Sequence, residues 1–222
     1  MQLLKKIIFS FYQPYVAKKI YRRSQYTWQD IHLHIPPGVF HPRFFFSTKF
    51  LLDTILSTEI KHKNILELGA GSGLISIACA KKGAHVTASD ISTRVIEALH
   101  ENSKSNGVDI KIIQSDLFDA IEDNHFDLIA INPPYYPKAA RNELELAWYC
   151  GVEFEYFEKL FKQLRGFVHE NTKVLMVLSE DCNLERIFGI AKKNHFIFKE
   201  IRKKKFWWEM NMIYEIEQIA GA

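Results

Sequence analysis

The sequence predicts an α/β fold: a seven-stranded, mostly parallel sheet with helices on both faces, a C-terminal antiparallel hairpin and a short N-terminal helical extension. Three observations carry that prediction. From residue 63 onward, short apolar runs rich in β-branched residues alternate with longer amphipathic stretches. The last two apolar runs follow each other with no helical stretch between them, which marks a hairpin rather than a crossover. A glycine-rich turn joins the first apolar run to the first amphipathic stretch.

Taken in order, the elements begin with an extension over residues 1–62. Leu4, Ile7, Ile8, Phe11 and Tyr15 recur at helical spacing, so a helix interrupted near Pro14 is expected. Residues 31–35 alternate as a strand and stop at Pro36-Pro37-Gly38, and residues 48–57 read as a helix. This extension is too short for its own core and is expected to pack on a main domain at 63–222. There the strands are expected at 64–68, 85–90, 110–114, 126–132 and 173–179, with helices at 74–82, 93–106, 153–167 and 184–194. Residues 196–202 and 211–219 form the hairpin at one sheet edge.

At 222 residues, 47% hydrophobic and 25% charged, the chain has the size of one large domain with an appendage. Its net charge of +3 conceals a segregation. Residues 1–29 and 192–205 are strongly basic, whereas 30–191 and the tail from 206 are acidic. The three cysteines, Cys79, Cys150 and Cys182, are widely spaced, so neither a disulfide framework nor a zinc finger is expected and a reducing cytoplasm fits. No apolar run approaches the roughly 18 residues of a spanning helix. The start imitates a signal peptide, but its apolar stretch ends at Gln13-Pro14 with no small-residue cleavage site, so it reads as retained.

Chemistry concentrates at two strand ends. Glu67-Leu68-Gly69-Ala70-Gly71-Ser72-Gly73 closes the first parallel strand. Its glycines let backbone approach a ligand, and the following helix aims free N–H groups at it. A dinucleotide fingerprint would need glycine at 74, where Leu74 stands. Asp90, at the tip of the next strand, can accept hydrogen bonds from both hydroxyls of a ribose, while Ser92 offers a cap for the helix beyond it. At the end of the fourth parallel strand comes Asn132-Pro133-Pro134-Tyr135. Two prolines fix the backbone there and remove two donors, leaving carbonyl oxygens to face a substrate.

The pattern E-x-G-x-G-x-G resembles the nucleoside-binding loop of class I S-adenosylmethionine (AdoMet)-dependent methyltransferases, which implies a Rossmann-like fold and AdoMet as cofactor. By that resemblance Glu67, Gly69, Gly71, Gly73 and Asp90 hold the cofactor, Asp116 takes the adenine amine, and Ile91 and Leu117 sandwich the ring. N-P-P-Y resembles the catalytic motif of methyltransferases acting on a planar nitrogen. It implies that Asn132 and the Pro133 carbonyl accept the two N–H bonds of the acceptor, with Pro134 shaping the turn and Tyr135 packing on the flat group. The stretch 36–52 and Ala147-Trp148-Tyr149-Cys150-Gly151 narrow the resemblance to the HemK/PrmC-like group. Cys150 and Phe154 stand where that group's A-W-x-G-G-x-x-G stretch has its first and third glycines.

The implied reaction is N-methylation of a protein glutamine amide. An adenine amine in RNA or DNA, a small-molecule amine, and a non-catalytic AdoMet-binding role stay open. The expected partner is a macromolecular acceptor, protein or nucleic acid, met by a monomer without membrane insertion. No metal site is expected, because no carboxylate or cysteine cluster sits beside His32, His34 and His41. Arg202–Lys205 before Trp207-Trp208 reads either as a phosphate-and-stacking surface or as a basic hairpin loop whose tryptophans cover the sheet edge. The basic N-terminus could hold nucleic acid, touch acidic lipid or cover the cofactor site.

Overall fold

A computed structural model describes residues 22–39, 41–43, 46–122, 125–206 and 209–219. The expected first helix and Trp207-Trp208 lie outside these residues.

Strands β1 (Ser24–Trp28) and β2 (Ile31–Ile35) form an antiparallel pair, followed by helix α1 (Phe46–Leu56). β1 was not anticipated, because only Tyr26 of its five residues is buried. The main sheet holds β3 (Asn64–Leu68), β4 (His85–Asp90), β5 (Lys111–Gln114), β6 (Leu128–Ile131), β7 (Lys173–Ser179), β8 (Phe196–Phe206) and β9 (Glu209–Gln218). Their spatial order is β5-β4-β3-β6-β7-β9-β8, with β7–β9 and β9–β8 antiparallel and the other pairings parallel. The chain reverses direction of growth between β3 and β6, and a crevice opens at their carboxyl ends.

Side-chain alternation divides two cores. Ile65, Leu128, Ala130, Leu175 and Val177 face α1, α2 (Leu74–Lys81) and α3 (Thr93–Ser105). Leu66, Leu68, Ile129, Ile131, Val174 and Met176 face α4 (Glu155–Leu164) and α5 (Leu184–Lys193), where Phe157 and Phe161 are fully buried. Each such ring contributes about 1.5–3 kcal/mol. Residues of the expected extension, among them Ile31, Leu33, Phe50 and Leu51, belong to the first of these cores.

The extension is also fastened by hydrogen bonds. The fully buried Asn102 of α3 accepts from the His34 N–H at 2.8 Å and donates to the His34 carbonyl at 2.9 Å. One turn later Asn106 makes the same pair of bonds to His32 at 3.0 and 2.7 Å. A helical turn of four residues rises about 6 Å, close to the roughly 6.7 Å between alternate strand residues, so one helix face reads the backbone of β2 twice.

Two expectations about the ends need correction. Arg202–Lys205 belong to β8, not to a loop: an edge strand at the tip of a ribbon pairs through its backbone and carries no apolar alternation to betray it. Ser92 stands at the N-cap of α3 without capping it, because its hydroxyl donates to Glu143 at 2.5 Å. No helix among the described residues is long and apolar enough to cross a membrane.

Candidate active site

The carboxyl ends of β3, β4 and β6 open onto a cavity of about 440 Å³, which also reaches the loop after β5. Glu67, Gly69, Gly71, Asp90, Ile91, Asp116, Leu117, Asn132, Pro133 and Pro134 line it together, although the chain spreads them over 68 positions. Gly73 and Tyr135 lie outside the lining. Gly73 sits at φ +75, and a Cβ there would stand 2.6 Å from Leu99 Cδ2, so its place is in packing α2 against α3. Tyr135 tilts against Tyr136 at 4.7 Å and packs on the α4–α5 core, where burial holds its phenol well above the ordinary value.

The glycine loop is locked from both strands. Ala70 N–H donates to the Ser89 carbonyl at 2.9 Å, and Gly71 N–H donates to Asp90 Oδ2 at 3.0 Å. The other Asp90 oxygen accepts from Ser92 N–H at 3.0 Å. Burial raises the Asp90 pKa, against the pull of the Ser92, Gly71 and Ile91 N–H groups. Gly73, the N-cap of α2, has no side chain to cap with. Glu67 reaches across from β3 instead, accepting from Ser76 N–H at 2.8 Å and from the Ser76 hydroxyl. Burial pushes the Glu67 carboxyl up to about 8; the two Ser76 bonds oppose this and the Asp90 charge adds to it.

Asp116 is paired. Its Oδ2 accepts from Lys159 Nζ at 2.6 Å, and the same ammonium reaches Asp119 at 2.6 Å. Leu117 next to it holds φ +55, a strained conformation for a branched residue, and the Ser115 hydroxyl fixes it by donating to the Leu117 carbonyl at 2.8 Å.

Asn132 is held from the extension. Its Nδ2 donates to Thr48 Oγ1 at 3.1 Å and to Ser47 Oγ at 3.4 Å, both in the first turn of α1. With the nitrogen so engaged, Oδ1 has no donor among the described residues. Sequence reasoning had placed Ser47 and Thr48 in a resemblance but not in the site.

Two further segments cover the cavity. The turn at Pro37–Val39 meets the segment 143–151, with Leu144 so close to Gly38 that a Cβ there would stand 2.6 Å from Leu144 Cδ2. Within that cover Cys150 is buried, its Sγ 3.4 Å from the Tyr136 carbonyl, and burial pushes its thiol up to about 11. Phe154 adopts φ +64 at the N-cap of α4, a left-handed conformation that glycine takes without strain. No cluster of three or more His, Cys, Asp or Glu residues among the described residues is placed to hold a metal ion.

Comparison with known proteins decides the family. The family model described as "Methyltransferase small domain" matches residues 30–192. The chain belongs to the methyltransferase small domain family. Within curated proteins it is 38% identical over 118 residues to a candidate protein N5-glutamine methyltransferase of Methanocaldococcus jannaschii, covering 53% of this chain and 57% of that one. It is 32% identical over 147 residues to the release factor glutamine methyltransferase of Streptococcus pneumoniae, covering 64% of this chain and 52% of that one. The matched stretches thus span a little over half of these relatives' lengths. Among solved structures, a ribosomal protein L11 methylase from Lactobacillus delbrueckii subsp. bulgaricus superposes with TM-score 0.61 at 24% identity, over 83% of this chain and 84% of that one. That likeness places the sheet and its helices in the Rossmann-like methyltransferase fold.

Proposed function

We propose that the chain is an AdoMet-dependent N-methyltransferase whose acceptor is the side-chain amide of a glutamine in a protein. The observation that carries this reading is the held amide of Asn132, a cavity-lining residue whose nitrogen is engaged by Thr48 and Ser47 and whose oxygen has no donor among the described residues.

The residues present fit the cofactor. The cavity volume falls in the range of roughly 300–1,000 Å³ usual for small-molecule sites. At Gly69 a Cβ would meet nothing within 4 Å, so the loop has an open side toward a ligand. Asp90 would take the ribose hydroxyls, Ile91 and Leu117 would flank the adenine, and the remaining oxygen of Asp116 would face its amine. When bound, AdoMet supplies a methyl group on a positively charged sulfur.

An amide nitrogen is a poor nucleophile because its lone pair is delocalised into the carbonyl. Asn132 Oδ1 and the Pro133 carbonyl accept its two N–H bonds and favour a pyramidal nitrogen with its lone pair turned toward the methyl. Neither Pro133 nor Pro134 has an N–H to compete for those acceptors. Catalysis is then positioning plus fixed dipoles, without a strong base. The names of the curated relatives favour glutamine over adenine as acceptor. The three cysteines are free and buried, which suits a reducing cytoplasm; the acceptor we infer is a macromolecule, met by a monomer.

Incubation with tritiated AdoMet and cell lysate, divided into nuclease-treated and protease-treated portions, tests the reading. Label that survives nuclease, is lost to protease and appears in N5-methylglutamine on hydrolysis is the expected result. Label lost to nuclease and recovered as a methylated base overturns it.

A further inference from the structure

Among the described residues lining the cavity, Lys159 of α4 is the one cation, beside the carboxyls of Glu67, Asp90, Asp116, Glu143 and Glu155. AdoMet carries its own positive charge at sulfur, so an ammonium in that wall opposes the ligand unless it is neutralised. Two carboxylates of the loop after β5 neutralise it. Asp116 Oδ2 and Asp119 Oδ2 each accept from Lys159 Nζ at 2.6 Å. Of these two aspartates, Asp116 lines the cavity and Asp119 does not.

One turn further along α4, Gln163 ties down the same loop. Its Nε2 donates to the second Asp119 oxygen at 2.5 Å, and its Oε1 accepts from Phe118 N–H at 3.3 Å. Phe118 in turn stacks on Phe167 at 4.2 Å, and the Ser115 hydroxyl donates to the Leu117 carbonyl. The loop backbone therefore has anchors besides Lys159. What Lys159 adds falls on the Asp116 side chain: Oδ2 has this ammonium as its donor, and Oδ1 has none among the described residues. The two side chains stay 33% and 50% exposed, so as an ion pair the contact contributes little to stability.

We propose that Lys159 is a positioning residue for recognition of the adenine base: by engaging Oδ2 it fixes the Asp116 carboxylate and leaves Oδ1 to accept from the adenine amine. The inference rests on the proposed placing of the nucleoside, with Asp116 toward that amine. Without the ammonium, Asp116 and Asp119 would repel each other, and a half-exposed aspartate would spread over several rotamers. Refixing one such side chain at every binding event weakens affinity by about three- to tenfold. A general charge effect would act in the opposite sense, because removing a cation from the wall favours a cationic ligand.

The test is calorimetric titration of the full chain, without any methyl acceptor, with S-adenosylhomocysteine and with the analogue whose base is unsubstituted purine. Both ligands are neutral at sulfur and differ only in the amine. The natural chain is expected to prefer the adenine ligand by about tenfold or more, the worth of a hydrogen bond to a charged acceptor. Lys159→Met should lower that preference by about three- to tenfold, through weaker binding of the adenine ligand alone. Lys159→Arg keeps a cation within reach of both carboxylates and should restore most of it. The unfolding midpoint of each variant reports that it folds. An equal loss for both ligands would mean that Lys159 merely supports the loop, and an unchanged preference in Lys159→Met that Asp116 needs no fixing; either overturns the proposal. Asp116→Ala separates the inference from the reading beneath it. If that variant loses the preference and Lys159→Met does not, only the role of Lys159 falls. If Asp116→Ala keeps the preference, the placing of the adenine amine falls and Lys159 with it. Glutamine as the acceptor stands in either case.

Discussion

The amide nitrogen of Asn132 donates to the hydroxyl of Thr48 at 3.1 Å, across 84 positions of sequence. This contact, with the Ser47 hydroxyl at 3.4 Å, engages the nitrogen end of the amide and leaves the oxygen end without a donor among the described residues. Replacing Thr48 with valine keeps the shape and removes the acceptor, so the amide is free to turn. Turnover is expected to fall roughly five- to tenfold, the worth of one hydrogen bond of about 1 kcal/mol, with cofactor affinity unchanged. Serine at 48 should restore most of it. Asn132→Ala removes the dipole itself and should lower turnover by roughly 10²–10³ while AdoMet still binds. Steady-state kinetics with tritiated cofactor, beside calorimetric titration, separates the two effects. Unchanged turnover in Asn132→Ala would sink the mechanism.

Asp90 should behave in the opposite way. Its carboxylate bonds the Gly71 and Ser92 N–H groups and so positions the glycine loop as well as the expected ribose contacts. Bonds to a charged group are worth about 1.5–3 kcal/mol each. Asp90→Ala is therefore expected to raise the dissociation constant for AdoMet by roughly 100-fold. Turnover at saturating cofactor should fall far less than in Asn132→Ala.

Glu67 predicts a pH dependence of stability. Its carboxyl titrates near 4.5 in the unfolded chain and is pushed up to about 8 in the folded one. Between these values the folded state binds the extra proton, so stability must fall as pH rises from about 4.5 to 8. Below the lower value the contribution is flat. Asp90, also raised by burial, acts in the same direction. Glu67→Gln keeps an oxygen for the Ser76 N–H but cannot ionise. Urea unfolding at intervals from pH 5 to 9 should show the natural protein losing stability relative to the variant, and parallel curves would refute the assignment.

How far these residues could be read from sequence depended on whether their role was local. The parallel strands announced themselves because both faces are buried, as Ile65 and Leu66 show in neighbouring positions. Glycines 69, 71 and 73 were legible because positive φ leaves few alternatives. The Thr48–Asn132 bond was not, since no local pattern reports a contact between a helix start and a distant strand end. Glu67 was expected at the cofactor; its bonds to Ser76 appear only once β3 and α2 are packed. The tip of β8 escaped for a different reason: Lys203–Lys205 are held by backbone pairing to β9, which leaves no trace in side-chain polarity.

Asn102 shows what such a hidden contact is worth. It is fully buried, bonds both backbone groups of His34, and its Nδ2 also lies 3.4 Å from the Ser72 carbonyl in the glycine loop. Asn102→Ala would strand the buried His34 groups and open a cavity. A loss of about 2–4 kcal/mol is expected in urea unfolding. Faster hydrogen exchange at the His34 amide, with the β6 amides still protected, would localise the loss to the seam between α3 and β2.

Gly151 should prove the least replaceable residue of the cover over the cavity. It holds φ +88, and a Cβ there would lie 1.9 Å from Glu155 Oε2, the atom that accepts from Glu153 N–H at 2.9 Å. Gly151→Ala therefore carries two costs: left-handed strain of roughly 1–2 kcal/mol and a collision that displaces the Glu155 carboxylate. Glu155→Ala removes the collision but not the strain. In the double variant Gly151→Ala/Glu155→Ala the two losses should add to less than their sum by about 1 kcal/mol, a coupling that urea unfolding of all four proteins resolves. Because Gly151 and Glu155 both line the cavity, Gly151→Ala should also weaken AdoMet binding, with partial recovery in the double variant. Full additivity would mean that the carboxylate moves aside without cost, and that strain alone keeps glycine at this position.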